Sequence, residues 1–391
     1  MNAQISFLDG TYTLIHIPLD IYSSLLQPIL RVLLPQTQSL HVSSETPEHE
    51  LEGLTRDSQH GFLNISVNPV EASIVCHSAW FKNVFEPVID ALPREERERV
   101  DAPKNTYTIL SVISAGMDAA GRVMELTSPL ALAGIPIFFI STYYSDFIMA
   151  PTKEKQNVVR ALQTKGYELS DNQSDFISPA TAGHTRTSSD SSSAPRTPPP
   201  SNEDELQTRA FELLRKRKIE PYVVAGLELV QCSGREVSQH SDMYNRRPSA
   251  SRYTNGRSPG WVDNVDTKLY TCMVSALVSQ PRFISITLAQ DDPPSLLIDR
   301  TLLSIFGDSL VGDTDSKHVP IFLDLVSLPS EVTGIVCGVA GKLVQDMHSA
   351  ESSELSYLST ARAGAVILPQ QQSQKALDIL MPMLSAQDGE T

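Results

Sequence analysis

Residues 136–151 read Pro-Ile-Phe-Phe-Ile-Ser-Thr-Tyr-Tyr-Ser-Asp-Phe-Ile-Met-Ala-Pro. Two apolar runs, 136–142 and 147–150, flank a polar turn and predict a pair of strands, after which Pro151 opens a helix through Leu162. At an offset of 218 residues, Ser141-Thr142 falls on Ser359-Thr360, Pro151 on Pro369 and Leu162 on Leu380 without a gap. Upstream, Gly121 to Leu130 lies over Gly334 to Leu343 at an offset of 213, a longer turn around 349–353 absorbing the difference. The chain therefore carries an internal repeat whose two copies each hold a Gly-led helix and a Ser-Thr strand end.

Working outward, 107–113 is a strand, 114–118 a small-residue loop and 119–133 a helix that Gly134 caps. The strand pair, the helix from Pro151 and a last strand from Tyr167 complete a βαββαβ unit. Residues 11–17 (strand), 21–34 (helix), 39–44, 62–67 and 73–76 (strands), and a helix bearing Trp80, Val84, Phe85 and Val88 form an earlier unit. The second half repeats the order with a strand at 222–230, a helix at 268–278, strands at 282–288 and 295–298, and a helix at 300–306. It then gives a strand at 320–328, a helix at 334–347, strands at 355–360 and 365–368, and a helix at 371–383. The expected fold is α+β, with four tandem ferredoxin-like βαββαβ modules in two halves. Their expected bounds are 1–98, 99–170, 207–316 and 317–391, with a disordered Ser/Pro-rich linker at 171–206 and a disordered insert at 235–266.

The 391 residues exceed one domain's usual length, and 41% hydrophobic residues are enough for several cores. A net charge of −15, with only Arg215-Lys216-Arg217-Lys218 as a basic run, disfavours a nucleic-acid partner. Cys76, Cys232, Cys272 and Cys337 are scattered and read as free thiols of a reducing compartment. The N-terminus lacks a leader pattern and no apolar run approaches the roughly 20 residues of a membrane span, so a soluble cytoplasmic protein is expected. No histidine has a second ligand at helical spacing, and no nucleophile elbow, phosphate loop or dinucleotide fingerprint appears. The expectation is no enzyme, no metal and no cofactor.

The loops 114–118 and 330–333 leave backbone N–H groups open at helix starts, where a carboxylate can be received. Asp118 and Glu331, at equivalent positions, read either as helix caps or as ligand contacts. Tyr143, Tyr144 and Phe147 read as core or as a stacking surface. Ser178-Pro179, Thr197-Pro198 and Ser258-Pro259 are candidate phosphorylation sites.

The run Ile140-Ser141-Thr142-Tyr143-Tyr144-Ser145-Asp146-Phe147-Ile148 and the earlier Ser44-Glu45-Thr46-Pro47-Glu48 resemble the CASTOR family of cytosolic arginine sensors in TOR signalling, with this chain as a divergent, fungal-type member. That resemblance implies four ACT modules related to the regulatory domains of aspartate kinases, and a free amino acid bound between the second and fourth. The implied ligand residues are Ser114, Ala115, Gly116, Met117 and Asp118; Glu331, Val332, Thr333, Gly334 and Ile335; and Thr360, Ala361, Arg362 and Gly364, with Glu331 on the ligand's ammonium. It also implies a protein signalling partner, and a homodimer stays open. The family's guanidinium-binding aspartate falls on Gly364, and Arg362 would repel a cation if it points inward. Losing the partner of a buried guanidinium costs on the order of 3–5 kcal/mol, so the ligand's identity stays open. Two rivals stand beside this reading: an allosteric subunit of an amino-acid biosynthetic enzyme, and a ligand-free interaction scaffold.

Overall fold

A computed structural model of the chain describes residues 3–34, 61–114, 119–170, 200–234, 266–290, 292–329, 331–347 and 354–385. The strand expected at 39–44, the three Ser-Pro and Thr-Pro pairs, residues 171–199 and the insert 235–265 lie outside them.

The strands form two rows of six. One row runs β2 (Tyr12–Ile17), β4 (Ala72–His77), β3 (Phe62–Val67), β11 (Ile284–Ala289), β12 (Ser295–Asp299) and β10 (Leu229–Gly234). The other runs β5 (Tyr107–Ser114), β7 (Asp146–Pro151), β6 (Phe138–Ser141), β15 (Ser356–Ser359), β16 (Ala363–Pro369) and β14 (His318–Asp324). Single residue pairs, Tyr12 with Tyr107 and Leu229 with His318, join the rows at both ends, so the twelve strands close into a ring.

The period-2 alternation of each strand supplies a core on either side. In β2, Tyr12 and Leu14 join the interior cluster with Phe147, Phe283 and Phe322, whereas Ile15 and Ile17 face the helices outside. Outside the first row lie α1 (Leu26–Leu33), α2 (Glu86–Ala91) and α6 (Thr267–Val278). Outside the second lie α3 (Ala119–Leu132), α4 (Lys155–Thr164), α5 (Glu203–Lys216), α8 (Ile335–Asp346) and α9 (Gln370–Leu384); the short α7 (Leu303–Phe306) belongs to the first. The result is four layers with three cores.

The fold is mixed α and β as expected, but the units are not self-contained. β1 (Ala3–Phe7), which the periodicity did not reveal, lies antiparallel to β5, and β8 (Glu168–Ser170) pairs with β1 on its far side. A strand that precedes the first expected unit thus completes the sheet of the second. The expected strand 222–230 divides into β9 (Pro221–Tyr222), which pairs with β14, and β10. Among the described residues only the segment 229–311 keeps its own strands together, in the order β13 (Leu310–Val311), β10, β12, β11. A second correction concerns the expected linker, whose last residues open α5. Asn202 accepts from the Glu205 N–H at 2.8 Å, and Leu206, Ala210, Phe211 and Leu214 bury one face at helical spacing. Gly121 does not lead its helix as Gly334 does, because α3 already begins at Ala119.

Candidate functional site

The two copies of the repeat meet edge to edge at β6 and β15. Leu358 pairs with Ile140, the Phe139 N–H donates to Ser359 Oγ at 2.9 Å, and the Tyr357 N–H donates to Ser141 Oγ at 3.1 Å. Each residue of these two bonds has its counterpart 218 positions away. The turns follow the same register: Thr142 donates its N–H and hydroxyl to the Ser145 carbonyl, and Thr360 donates its N–H to the Ala363 carbonyl, with its hydroxyl 3.2 Å from the same oxygen but turned to Glu71. The seam therefore has two pseudo-equivalent ends.

Over the seam, α3 and α8 run antiparallel. Met124 lies beside Gly341, while Thr127 and Ala131 lie beside the residues that open α8. One end holds a cavity of ≈30 Å³ between Thr127, Ala131, Ile137, Val332, Gly334 and Ile335. α8 starts there without a side-chain cap, on Gly334 at φ +85°, a left-handed conformation natural to glycine. A Cβ on Gly334 would stand 2.6 Å from Leu206 Cδ1 of α5. Also on this outer face, the Tyr357 hydroxyl is buried with no hydrogen-bond partner, over Gly364 and beside Leu325. Burial raises the Tyr357 pKa, so the phenol stays a neutral donor.

The other end is charged. Asp146, 1% exposed, lies 2.5 Å from Nε of Arg122. Desolvation pushes its carboxyl up to about 6, against the opposing pull of Arg122 and of a hydrogen bond from Ser141.

Among the described residues, the expected ligand residues fall in two places. Gly334 and Ile335 are buried at the cavity and Val332 lines it, but Thr333 is only half-buried and Glu331 is exposed. Ala115, Gly116, Met117 and Asp118 lie outside the described residues, and the adjoining start of α3 faces the far end of α8. At 1.5 Å per residue the two helix starts are ~17 Å apart. The described helix starts thus lie at opposite ends of the pair, and the loop on which the expected arrangement rests lies outside the described residues.

Thr360, Ala361 and Arg362 turn inward to the other row of strands. The Thr360 hydroxyl and the Arg362 N–H both donate to Glu71 Oε1 at 2.6 Å, the Ala361 N–H donates to Ser73 Oγ at 3.2 Å, and the Arg362 guanidinium pairs with Asp101. Arg362 is thus committed elsewhere and does not guard the cavity. Glu71, fully buried and 2.5 Å from His16 Nδ1, escaped sequence reasoning. The available signal was an acid just before an apolar strand, after an Asn68 whose Oδ1 accepts from the Val70 and Glu71 N–H groups. Phe147 is core, whereas Tyr143 and Tyr144 are exposed and pack on each other at 4.8 Å.

The ACT domain family matches residues 104–164, the segment spanning β5 to α4. This segment is similar to ACT domains. No curated protein matches the chain. Among solved structures, aspartate kinase from Synechocystis matches at 11% identity and a TM-score of 0.31, covering 100% of this chain and 57% of the kinase chain. A protein from Agrobacterium tumefaciens matches at 18% identity and a TM-score of 0.26, covering 43% of this chain and 92% of its own. A Vibrio cholerae protein of unknown function, described as a possible transport protein, matches at 12% identity and a TM-score of 0.21, covering 42% and 89%. Among the described residues, no helix is long and apolar enough to cross a membrane, and no three His, Cys, Asp or Glu side chains converge as metal ligands.

Proposed function

We propose that the chain is a non-enzymatic, ligand-responsive regulatory protein of four ACT-type modules in two halves, which binds a free amino acid at the seam between 99–170 and 317–391. The ACT match and the doubled Thr turn support the modular reading. The observation that carries the binding reading is the cavity at the uncapped start of α8, with the unpartnered Tyr357 hydroxyl on the same outer face. A helix start offers N–H groups to a carboxylate, and a buried donor without a partner is costly unless a ligand or water takes it. Occupation of the seam would change the surface offered to a protein partner, with ligand and partner coupled reciprocally. A cytoplasmic role in TOR-pathway nutrient signalling is the partner assignment the sequence resemblance suggests; regulation of an amino-acid biosynthetic enzyme is the alternative.

One observation favours the ligand-free scaffold. A cavity of ≈30 Å³ holds about a water or two, against roughly 300 Å³ or more for an ordinary ligand pocket. A thermal-shift screen with the twenty amino acids separates the readings. A bound amino acid at 100 times its Kd stabilises by roughly 2.7 kcal/mol, whereas the scaffold shows no shift with any of them.

A further inference from the structure

The repeat places Phe139 and Asp146 of one end of the seam onto Tyr357 and Gly364 of the other, and Arg122 onto Ile335. The two pairs are alternatives in space. A Cβ on Gly364 would meet the Tyr357 hydroxyl oxygen at 2.6 Å, so an aspartate and a tyrosine do not fit this position together. Where the ring is Phe139, the carboxylate of Asp146 is present; where the ring is Tyr357, a hydroxyl replaces it. The chain's own guanidinium, Arg122, already neutralises Asp146. The end at α8 offers Ile137, Val332 and Ile335 as apolar walls, and none of the residues lining it is acidic; Glu203, which acts on the lining Cys337 and accepts from Ser128 Oγ at 2.5 Å, is exposed, as is Glu331.

Building on the amino-acid-binding reading above, we infer that the seam site at α8 selects an amino acid with an uncharged side chain. Tyr357 donates a hydrogen bond to an acceptor on that ligand, and arginine and lysine are rejected. A cationic side chain brought into these walls loses its hydration and gains no buried acid, a deficit that reduces affinity about a hundredfold or more. Pairing with the exposed Glu203 or Glu331 recovers little of it. Tyr357 meets the opposite condition, since its donor is already desolvated and gains a partner only when an acceptor arrives.

Calorimetric titration of the full chain with each of the twenty L-amino acids tests the inference, together with Tyr357→Phe and the double variant Tyr357→Phe/Gly364→Asp. The expected result is that an uncharged amino acid binds tightest, with arginine and lysine about a hundredfold or more weaker. Tyr357→Phe, which removes only an unpartnered hydroxyl and leaves folding intact, weakens that amino acid roughly tenfold. The double variant recreates the Phe139/Asp146 pair without an Arg122 equivalent and narrows or reverses the deficit of arginine. A charged amino acid binding tightest, or unchanged affinity in folded Tyr357→Phe, overturns the inference while the amino-acid reading stands. Absence of binding by all twenty overturns the reading itself, and this inference with it.

Discussion

Tyr357 and Gly364 face each other across β15 and β16 so closely that a Cβ on Gly364 would lie 2.6 Å from the tyrosine hydroxyl. Gly364 has ordinary strand partners, Leu323 and Ser359, so the phenol, not the backbone, demands glycine there. Gly364→Ala should therefore cost about 1–3 kcal/mol by overpacking. In a Tyr357→Phe background the same change should cost much less. A double-mutant cycle by urea unfolding should return a coupling of about 0.5–3 kcal/mol; additive effects would show that the contact imposes no constraint.

Asp146 makes stability depend on pH. Its ordinary value is 3.8 and its folded value about 6, so between these the folded chain holds a proton that the unfolded chain has released. Its stabilising contribution is full below the lower value and is lost as pH rises through the upper one. The stability difference between wild type and Asp146→Asn should fall across pH 4 to 6 by up to roughly 3 kcal/mol. A pH-independent difference would mean that Arg122 and Ser141 fully offset the burial.

Glu71 ties the first row of strands to the turn of the second. Glu71→Ala strands the Arg362 N–H and His16, leaves the Thr360 hydroxyl only its longer bond to the Ala363 carbonyl, and should destabilise by about 3–5 kcal/mol. Glu71→Gln keeps an acceptor oxygen and should cost less than half as much. Arg362→Ala, which removes the half-exposed pair with Asp101, should cost at most about 1 kcal/mol in the same denaturation series.

The repeat was legible at residue level. The offset of 218 correctly aligned Thr142 with Thr360, whose N–H groups close the same turn, and Leu162 with Leu380, both fully buried. Helical and alternating periodicity located most long elements because each buries a single face. β1 and β9 escaped because five and two residues are too few to show a period, and because their partners lie about a hundred residues away in the chain. The direction of Arg362 was undecidable for a related reason. It sits in a turn between strands, where alternation stops, and Asp101 and Glu71 become its neighbours only when the two rows of strands stack. Likewise, the repeat equated the loop at 114–118 with the loop at 330–333 but did not reveal that α3 and α8 cross antiparallel, which separates the two helix starts.

The most direct test of ligand binding at the seam is amide hydrogen exchange with and without a saturating amino acid chosen as the largest thermal stabiliser. Added protection is predicted at 332–337, at 355–364 and at 137–141, with little change in the outer helices of the first row, α1 and α6. Protection confined to those helices, or none at all at the seam, would contradict the account.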